Sequence, residues 1–306
     1  MSDKPHFRRV AFIGIGLIGS SIARVMRRDG LADTIVACAR TPKTLETALA
    51  LGIADEATSD PAEAVRGADL VMICTPVSTY GAIAEAIAPA LEPGCIVTDV
   101  GSVKAAAVKA VEPHLPKGVH FVPGHPIAGT ENSGPESGFD TLFVDRWFLI
   151  TPVPGTDPAA VEKIAALWRC AGSRIDYLDP AHHDQVLAIT SHLPHLIAYT
   201  IVGTATDLEE HIKSEVIKYS ASGFRDFTRI AASDPVMWRD IFLANRDAVL
   251  EMLGRLSEDL AKLQRAIRVG DGDTLEALFR RTREIRRGVV DAGQHIPPAP
   301  ENPSKK

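Results

Sequence analysis

The chain has 306 residues, 45% hydrophobic and 24% charged, with a formal net charge of −6 at pH 7. That length allows two domains with sizeable cores, and the balance excludes a disordered or membrane-embedded class. An acidic net charge gives no reason to expect nucleic acid or an acidic lipid surface as partner, and "RRTREIRR" (280–287) at helical spacing reads as a solvated face.

The N-terminal stretch "FRRVAFIGIGLIGSSIA" has the basic and apolar blocks of a secretory signal, but its glycine pattern and the arginines after it favour a folded strand and helix. No apolar run is expected to approach the length of a membrane span. Cys38, Cys74 and Cys95 lie in short β-branched runs and Cys170 stands far from them, which suits free thiols in a reducing, cytoplasmic compartment. The absence of a C-x-x-C pair argues against a thiolate zinc site.

Seven β-rich runs follow one another up to about Asp179: "RVAFIGI", "TIVACA", "DLVMICT", "CIVTDV", "VHFVPG", "WFLITPV" and "SRIDYLD". Helices fall between several of them, with Thr41-Pro42, Asp60-Pro61 and Asp157-Pro158 as starts and Gly30 and Gly52 as stops. The alternation predicts an α/β fold, a doubly wound and mostly parallel sheet covered on both faces. After Asp179 strand signals vanish and helical periodicity takes over in "AYTIVGTATDLEEHI", "MWRDIFLANRDAVLEMLGRLSEDLAKLQRAI" and "DTLEALFRRTREIRRGVVDAG". The expected division is a Rossmann-type domain over 1–179, a helical domain over 180–295 and a disordered proline-rich tail over 296–306, with a boundary near 178–182. The long helices carry more apolar residues than one internal seam needs, which suggests a subunit interface.

Gly14, Gly16 and Gly19 form G-x-G-x-x-G between the first strand and the first helix, with Leu17 and Ile18 as its last two variable positions. In that context the glycines serve a tight turn, close approach of a pyrophosphate and close helix packing, and the helix N-terminus offers N–H groups to the anion. The second strand ends in "ACARTPK", where an acidic residue for the ribose hydroxyls would be usual and Arg40 stands instead. An arginine there can pair with a 2′-phosphate, so the cofactor is NAD or NADP with a tilt toward NADP or dual use.

Thr75 and Ser102 follow strand ends and so face the cofactor side, and Ser102 is also placed to N-cap "SVKAAAVKAVEPHL". His125 follows "VHFVPG" at the same edge, where a neutral imidazole could accept an alcohol proton while hydride leaves the carbon. In "HHDQVLAITSHLPH" one histidine is expected to meet substrate and the others to be structural; Pro194 is read as interrupting His192 and His195, and no metal is expected. In "SASGFRDFTR" Gly223 is read as a turn with unusual backbone geometry, beside Arg225, Asp226 and Arg229, a candidate carboxylate site.

In their order, "GIGLIGSS", "TDVGSVK", "GHPIAGTENSG", "HHDQVLAITSHLPH" and "GFRDFTRIAASDPVMW" resemble the prephenate/arogenate (cyclohexadienyl) dehydrogenase family over about residues 8–293. The resemblance implies a nucleotide-binding domain, a helical dimerisation domain and oxidative decarboxylation of prephenate or arogenate by NAD or NADP in tyrosine biosynthesis. By motif it implies that His125 is the catalytic histidine on the ring hydroxyl and that Ser102 orients that hydroxyl and the nicotinamide. It implies that Arg229 binds substrate carboxylate, that His195 contacts substrate with Ser191 beside it, and that Glu131 and Asp226 are acidic residues around the pocket able to engage the arginine. Trp238 is implied as a tryptophan offered by the partner subunit of a homodimer. The residues alone leave open a β-hydroxyacid dehydrogenase of the 6-phosphogluconate type, and a non-catalytic NAD(P)-sensing protein.

Overall fold

The computed structural model describes residues 4–130, 132–207, 215, 218–219 and 221–289. Glu131 and the expected tail 296–306 lie outside the described residues. The described chain divides into two compact units between Arg246 and Asp247, so the first unit extends past the expected boundary at 178–182.

In the first unit, β1 (Phe7–Ile13), β2 (Ala32–Cys38), β3 (Glu56–Thr58), β4 (Leu70–Ile73), β5 (Ile96–Asp99) and β6 (His120–Val122) form a parallel sheet in the order β3-β2-β1-β4-β5-β6. This is the doubly wound order that binds dinucleotides beyond the carboxyl ends of its strands. Successive residues of a strand point to opposite faces. Val10 and Phe12 of β1 and Leu70 and Met72 of β4 join one core, whereas Ala11, Ile13, Val71 and Ile73 join the other. That double burial is why these strands read as unbroken apolar runs. Strand β3 was not anticipated, because "EAT" carries no apolar run.

The helices begin where the proline pairs put them. After α1 (Leu17–Asp29), Thr41, Asp60 and Asp157 each cap with their own side chain, ahead of α2 (Pro42–Ala50), α3 (Pro61–Ala64) and, after α4 (Tyr80–Ile87) and α5 (Lys104–Val111), α6 (Pro158–Cys170). Helix α1 itself ends on Gly30 at φ 63°, a left-handed cap that glycine adopts without a Cβ clash.

"VHFVPG" is not one strand. Pro123 has no N–H to give a ladder, and the chain leaves the main sheet after Val122. It enters β7 (Gly124–Pro126), which pairs antiparallel with β8 (Trp147–Ile150), itself parallel to β9 (Arg174–Tyr177). His125 therefore stands inside a second, short strand opposite Leu149 and not just after the end of a single strand.

Beyond β9, Asp179 caps α7 (Pro180–Leu187) through the N–H groups of Ala181 and His182. A π-turn over Ala188–His192 follows and leads directly into α8 (Leu193–Thr206). Pro194 does not interrupt this helix, because the π-turn just ahead of it absorbs the proline's missing N–H and its ring. The resulting 27-residue helix, Pro180–Thr206, is long and apolar enough to cross a membrane by length and composition, contrary to the expectation that no run reaches that length. Its buried His183, Asp184 and His192 are hydrogen-bonded to groups inside the first unit, the arrangement of a packed helix.

Gly223 lies within α9 (Ser222–Thr228) and is absent from the positive-φ glycines, so it is helical and not a special turn. The expected single helix through "MWRDIFLANRDAVLEM" is two. Helix α10 (Pro235–Ala244) stops at Asn245, whose side chain is committed to hydrogen bonds, and α11 (Arg246–Val269) begins after it. The second unit holds most of α11 and all of α12 (Gly272–Val289), joined through Gly270 at φ 72° and Asp271, which caps Thr274.

Candidate active site

The turn after β1 has the shape a dinucleotide needs. Gly14 sits at φ 93°, and a Cβ there would stand 2.9 Å from the Cys74 carbonyl oxygen and from Thr75 Cγ2. A Cβ on Gly19 would meet the Gly14 oxygen at 2.7 Å, so α1 packs close only because that position is bare. Gly16, by contrast, has open space where a side chain would be. The cradle fits a pyrophosphate laid on the backbone N–H groups at the start of α1. Leu17 and Ile18 pack partly against the core as α1 begins, Thr75 abuts Gly14 and shares a 2.8 Å hydroxyl contact with Thr79, and Arg40 is exposed just past β2.

Two carboxylates position His125. Asp99, at the end of β5, accepts from the Gly124 N–H at 3.2 Å and holds the ammonium of Lys104 at 2.5 Å. Lys104 Nζ in turn donates to the Gly124 carbonyl at 2.6 Å, and both charged groups are fully buried. A buried pair of this kind is tolerable because further hydrogen bonds hold both charges, from the Gly101 and Gly124 N–H groups to Asp99 and from Lys104 to the Gly124 carbonyl. Burial lowers the Lys104 pKa, with Asp99 opposing the shift. A Cβ on Gly124 would lie 2.2 Å from the Phe148 ring, so only glycine lets β7 close on β8.

Asp184 is the second carboxylate. It accepts the backbone N–H groups of Lys104 at 2.7 Å and Ala105 at 2.9 Å, and so caps α5 from α7, 80 positions away for the first bond. Ser102 is thus not the N-cap: α5 begins at Lys104, and its flanking residue Val103 makes no side-chain cap. Ser102 is half-buried in the turn between Asp99 and Lys104. Asp184 Oδ1 also lies 2.8 Å from His183 Nδ1, and His183 Nε2 lies 2.9 Å from His125 Nδ1. His125 is only 8% exposed, and its pKa is pushed well below the usual imidazole range, first by burial and then by His183, Lys104 and His192. Burial likewise lowers His183, with its hydrogen bond to Asp184 opposing the shift.

The rest of the cluster follows along the helix. His192 is fully buried and lowered by burial to about 4. Asn245 donates from one nitrogen to the Asp184 carbonyl at 2.8 Å and to His192 Nδ1 at 3.1 Å. His195 donates from Nδ1 to the Ser191 carbonyl at 2.9 Å and stacks on Trp238 at 3.6 Å between ring centroids. His192 meets the same indole edge-on at 6.0 Å, so the two histidines do share a face. Trp238 is buried in its own chain with Val103 and Ile241. Burial lowers the His195 pKa first, its hydrogen bond to the Ser191 carbonyl opposes the shift, and the charge of Arg229 adds to it. Asp226 accepts from Arg225 at 3.3 Å at an exposed position. Asp99, Lys104, His183, Asp184 and Asn245 were not among the residues expected to build the site.

Two family models match the chain, "Prephenate dehydrogenase, nucleotide-binding domain" over residues 22–177 and "Prephenate dehydrogenase, dimerization domain" over 179–281. The chain belongs to the prephenate dehydrogenase family. It is 43% identical over 280 residues to a cyclohexadienyl dehydrogenase of Zymomonas mobilis, covering 92% of this chain and 95% of that one. It is 32% identical to a prephenate dehydrogenase of Bacillus subtilis, covering 92% of this chain and 76% of the relative. Among solved structures, a prephenate dehydrogenase from A. aeolicus in complex with hydroxyphenyl propionate and NAD+ superposes with a TM-score of 0.84 at 35% identity, over 92% of this chain and 98% of that chain. The two matched regions of this family member meet at residue 178, between β9 and the Asp179 cap of α7.

Proposed function

We propose that this chain is a cytoplasmic, NAD-dependent dehydrogenase that oxidises and decarboxylates prephenate or arogenate in tyrosine biosynthesis. The observation that carries the reading is His125, a buried imidazole kept neutral beside His183, on the segment leaving the same sheet edge as the Gly14 turn. A neutral imidazole is the form that can take a hydroxyl proton.

Gly14, Gly16, Leu17, Ile18, Gly19 and Thr75 hold the dinucleotide, whose nicotinamide, when bound, supplies the acceptor for the hydride leaving the ring carbon. His125 takes the proton of the ring hydroxyl, which Ser102 orients. Departure of the ring carboxylate as CO₂ leaves its bonding pair in the ring, which becomes aromatic, and His125 returns the proton to the phenolate oxygen. Arg229 binds substrate carboxylate, with His195, Ser191, Asp226 and Trp238 around it, and Glu131 has the role of an acidic residue that can engage the arginine. Arg40 just past β2, with no carboxylate in "ACARTPK", favours use of NADP alongside NAD. Residues 1–179 serve the nucleotide, and 180–295 serve substrate and a homodimer contact.

Initial rates with prephenate and arogenate, each with NAD and NADP, test the reading. Reduced cofactor should accumulate with an equal amount of CO₂ for at least one pair. A chain that binds dinucleotide but reduces none with either substrate would be a sensor and not this enzyme.

A further inference from the structure

The contacts around His125 determine more than its position. Asp184 faces two backbone N–H groups at the start of α5, so it is an acceptor in this network. Its Oδ1, 2.8 Å from His183 Nδ1, can close that contact only if Nδ1 carries the proton. A neutral His183 protonated on Nδ1 has a bare Nε2, and this atom is 2.9 Å from His125 Nδ1. That contact then needs a proton on His125 Nδ1. The nitrogen left with a lone pair is His125 Nε2.

We propose that Asp184 and His183 are positioning residues for His125: the carboxylate sets the tautomer of His183, His183 sets the tautomer of His125, and Nε2 of His125 is thereby kept as the proton acceptor. The inference rests on the reading of His125 as the base. The proton taken from the substrate hydroxyl goes onto Nε2 and later returns from it, so Nδ1–H stays in place throughout and no proton passes along the chain of contacts. The developing imidazolium gains from an acceptor already aligned on its Nδ1–H, backed by a carboxylate one ring away. Lys104, lying nearby with its charge on Asp99, works against a positive His125, and His192 is held neutral by Asn245 on its far side. The Asp184 carboxylate is therefore the counter-charge on the His183 side.

The direct test is the ¹⁵N spectrum of the native apo protein labelled in histidine, at neutral pH, with His125 signals assigned by their loss in His125→Asn. Nδ1–H and bare Nε2 are expected for both His125 and His183; a His125 protonated on Nε2 overturns the proposal without any variant. Asp184→Asn removes the negative charge that fixes His183 Nδ1–H and can turn an amide N–H toward that nitrogen, the arrangement that inverts both tautomers. It should lower kcat by about 10²-fold with KM for substrate little changed, and move the proton of His125 to Nε2. His183→Leu leaves the Asp184 cap in place and removes the acceptor, so kcat should fall while the thermal midpoint stays near native. If either folded variant keeps both the native kcat and the native His125 tautomer, or loses kcat with that tautomer intact, the positioning role is wrong. Turnover by His125→Asn at the native rate would instead remove the underlying assignment of the base, and so the two failures are distinguishable.

Discussion

A side chain at position 124 has nowhere to go. The Phe148 ring that a Cβ would strike is itself stacked on Trp168, 4.0 Å away between centroids, and cannot retreat. Gly124→Ala should therefore cost about 1–3 kcal/mol of stability through overpacking, and it should disturb His125 next door. Phe148→Leu should restore part of the loss in a denaturant melt. A variant with native stability would mean that β7 can shift without cost. His125 and this glycine were legible as a motif, but their contacts were not. In "HHD" nothing marks which of the two histidines turns inward, and His183 became visible only once Asp184 was seen reaching back to α5. Nothing in "SVKAAAVKAVEPHL" marks Lys104 as buried, because its burial depends on Asp99 and Gly124, which lie on β5 and β7.

The helix Pro180–Thr206 gathers three histidines whose pKa values burial lowers, and His125 packs against the first of them. In the unfolded chain these groups bind protons at the ordinary imidazole pKa; in the folded one they bind them only at lower pH. Folding is thus fully supported above that ordinary value, and the support is lost as pH falls toward the folded values. For His192, lowered to about 4, the loss is on the order of 3 kcal/mol across that window. Denaturant midpoints should fall as pH drops from about 7 to about 4, and His192→Gln should flatten the slope. An unchanged slope would show that His192 titrates normally. The helix starts and stops were readable from Thr-Pro, Asp-Pro and glycine pairs, and Asp179-Pro180 and Asp234-Pro235 carry the same signal. The π-turn was not readable, since a single extra residue in the helical repeat shifts the facing of His192 and His195 without altering composition. Asn245 was hidden for a similar reason, as one polar residue within a continuous helical pattern.

At the scale of the molecule, the mostly parallel sheet followed from alternating apolar runs and helices, whereas the separate small sheet did not, because Pro123 diverts a run that otherwise reads as one strand. The second unit keeps an apolar surface. Leu260 and Ile267 on α11 are 54% and 67% exposed, and Phe279 and Ile285 on α12 are 57% and 62% exposed. Faces of that kind fit association with a second copy. Sedimentation should give twice the chain mass, and Leu260→Asp with Ile267→Asp should shift it to the single chain; a native chain sedimenting as a monomer would contradict the homodimer. Whatever the assembly, the chemistry rests on one imidazole. The most direct check is kcat of His125→Asn at saturating prephenate and NAD, measured on protein shown to bind both. A fall of about 10²- to 10⁴-fold is the expected result, and turnover at the native rate would contradict the account.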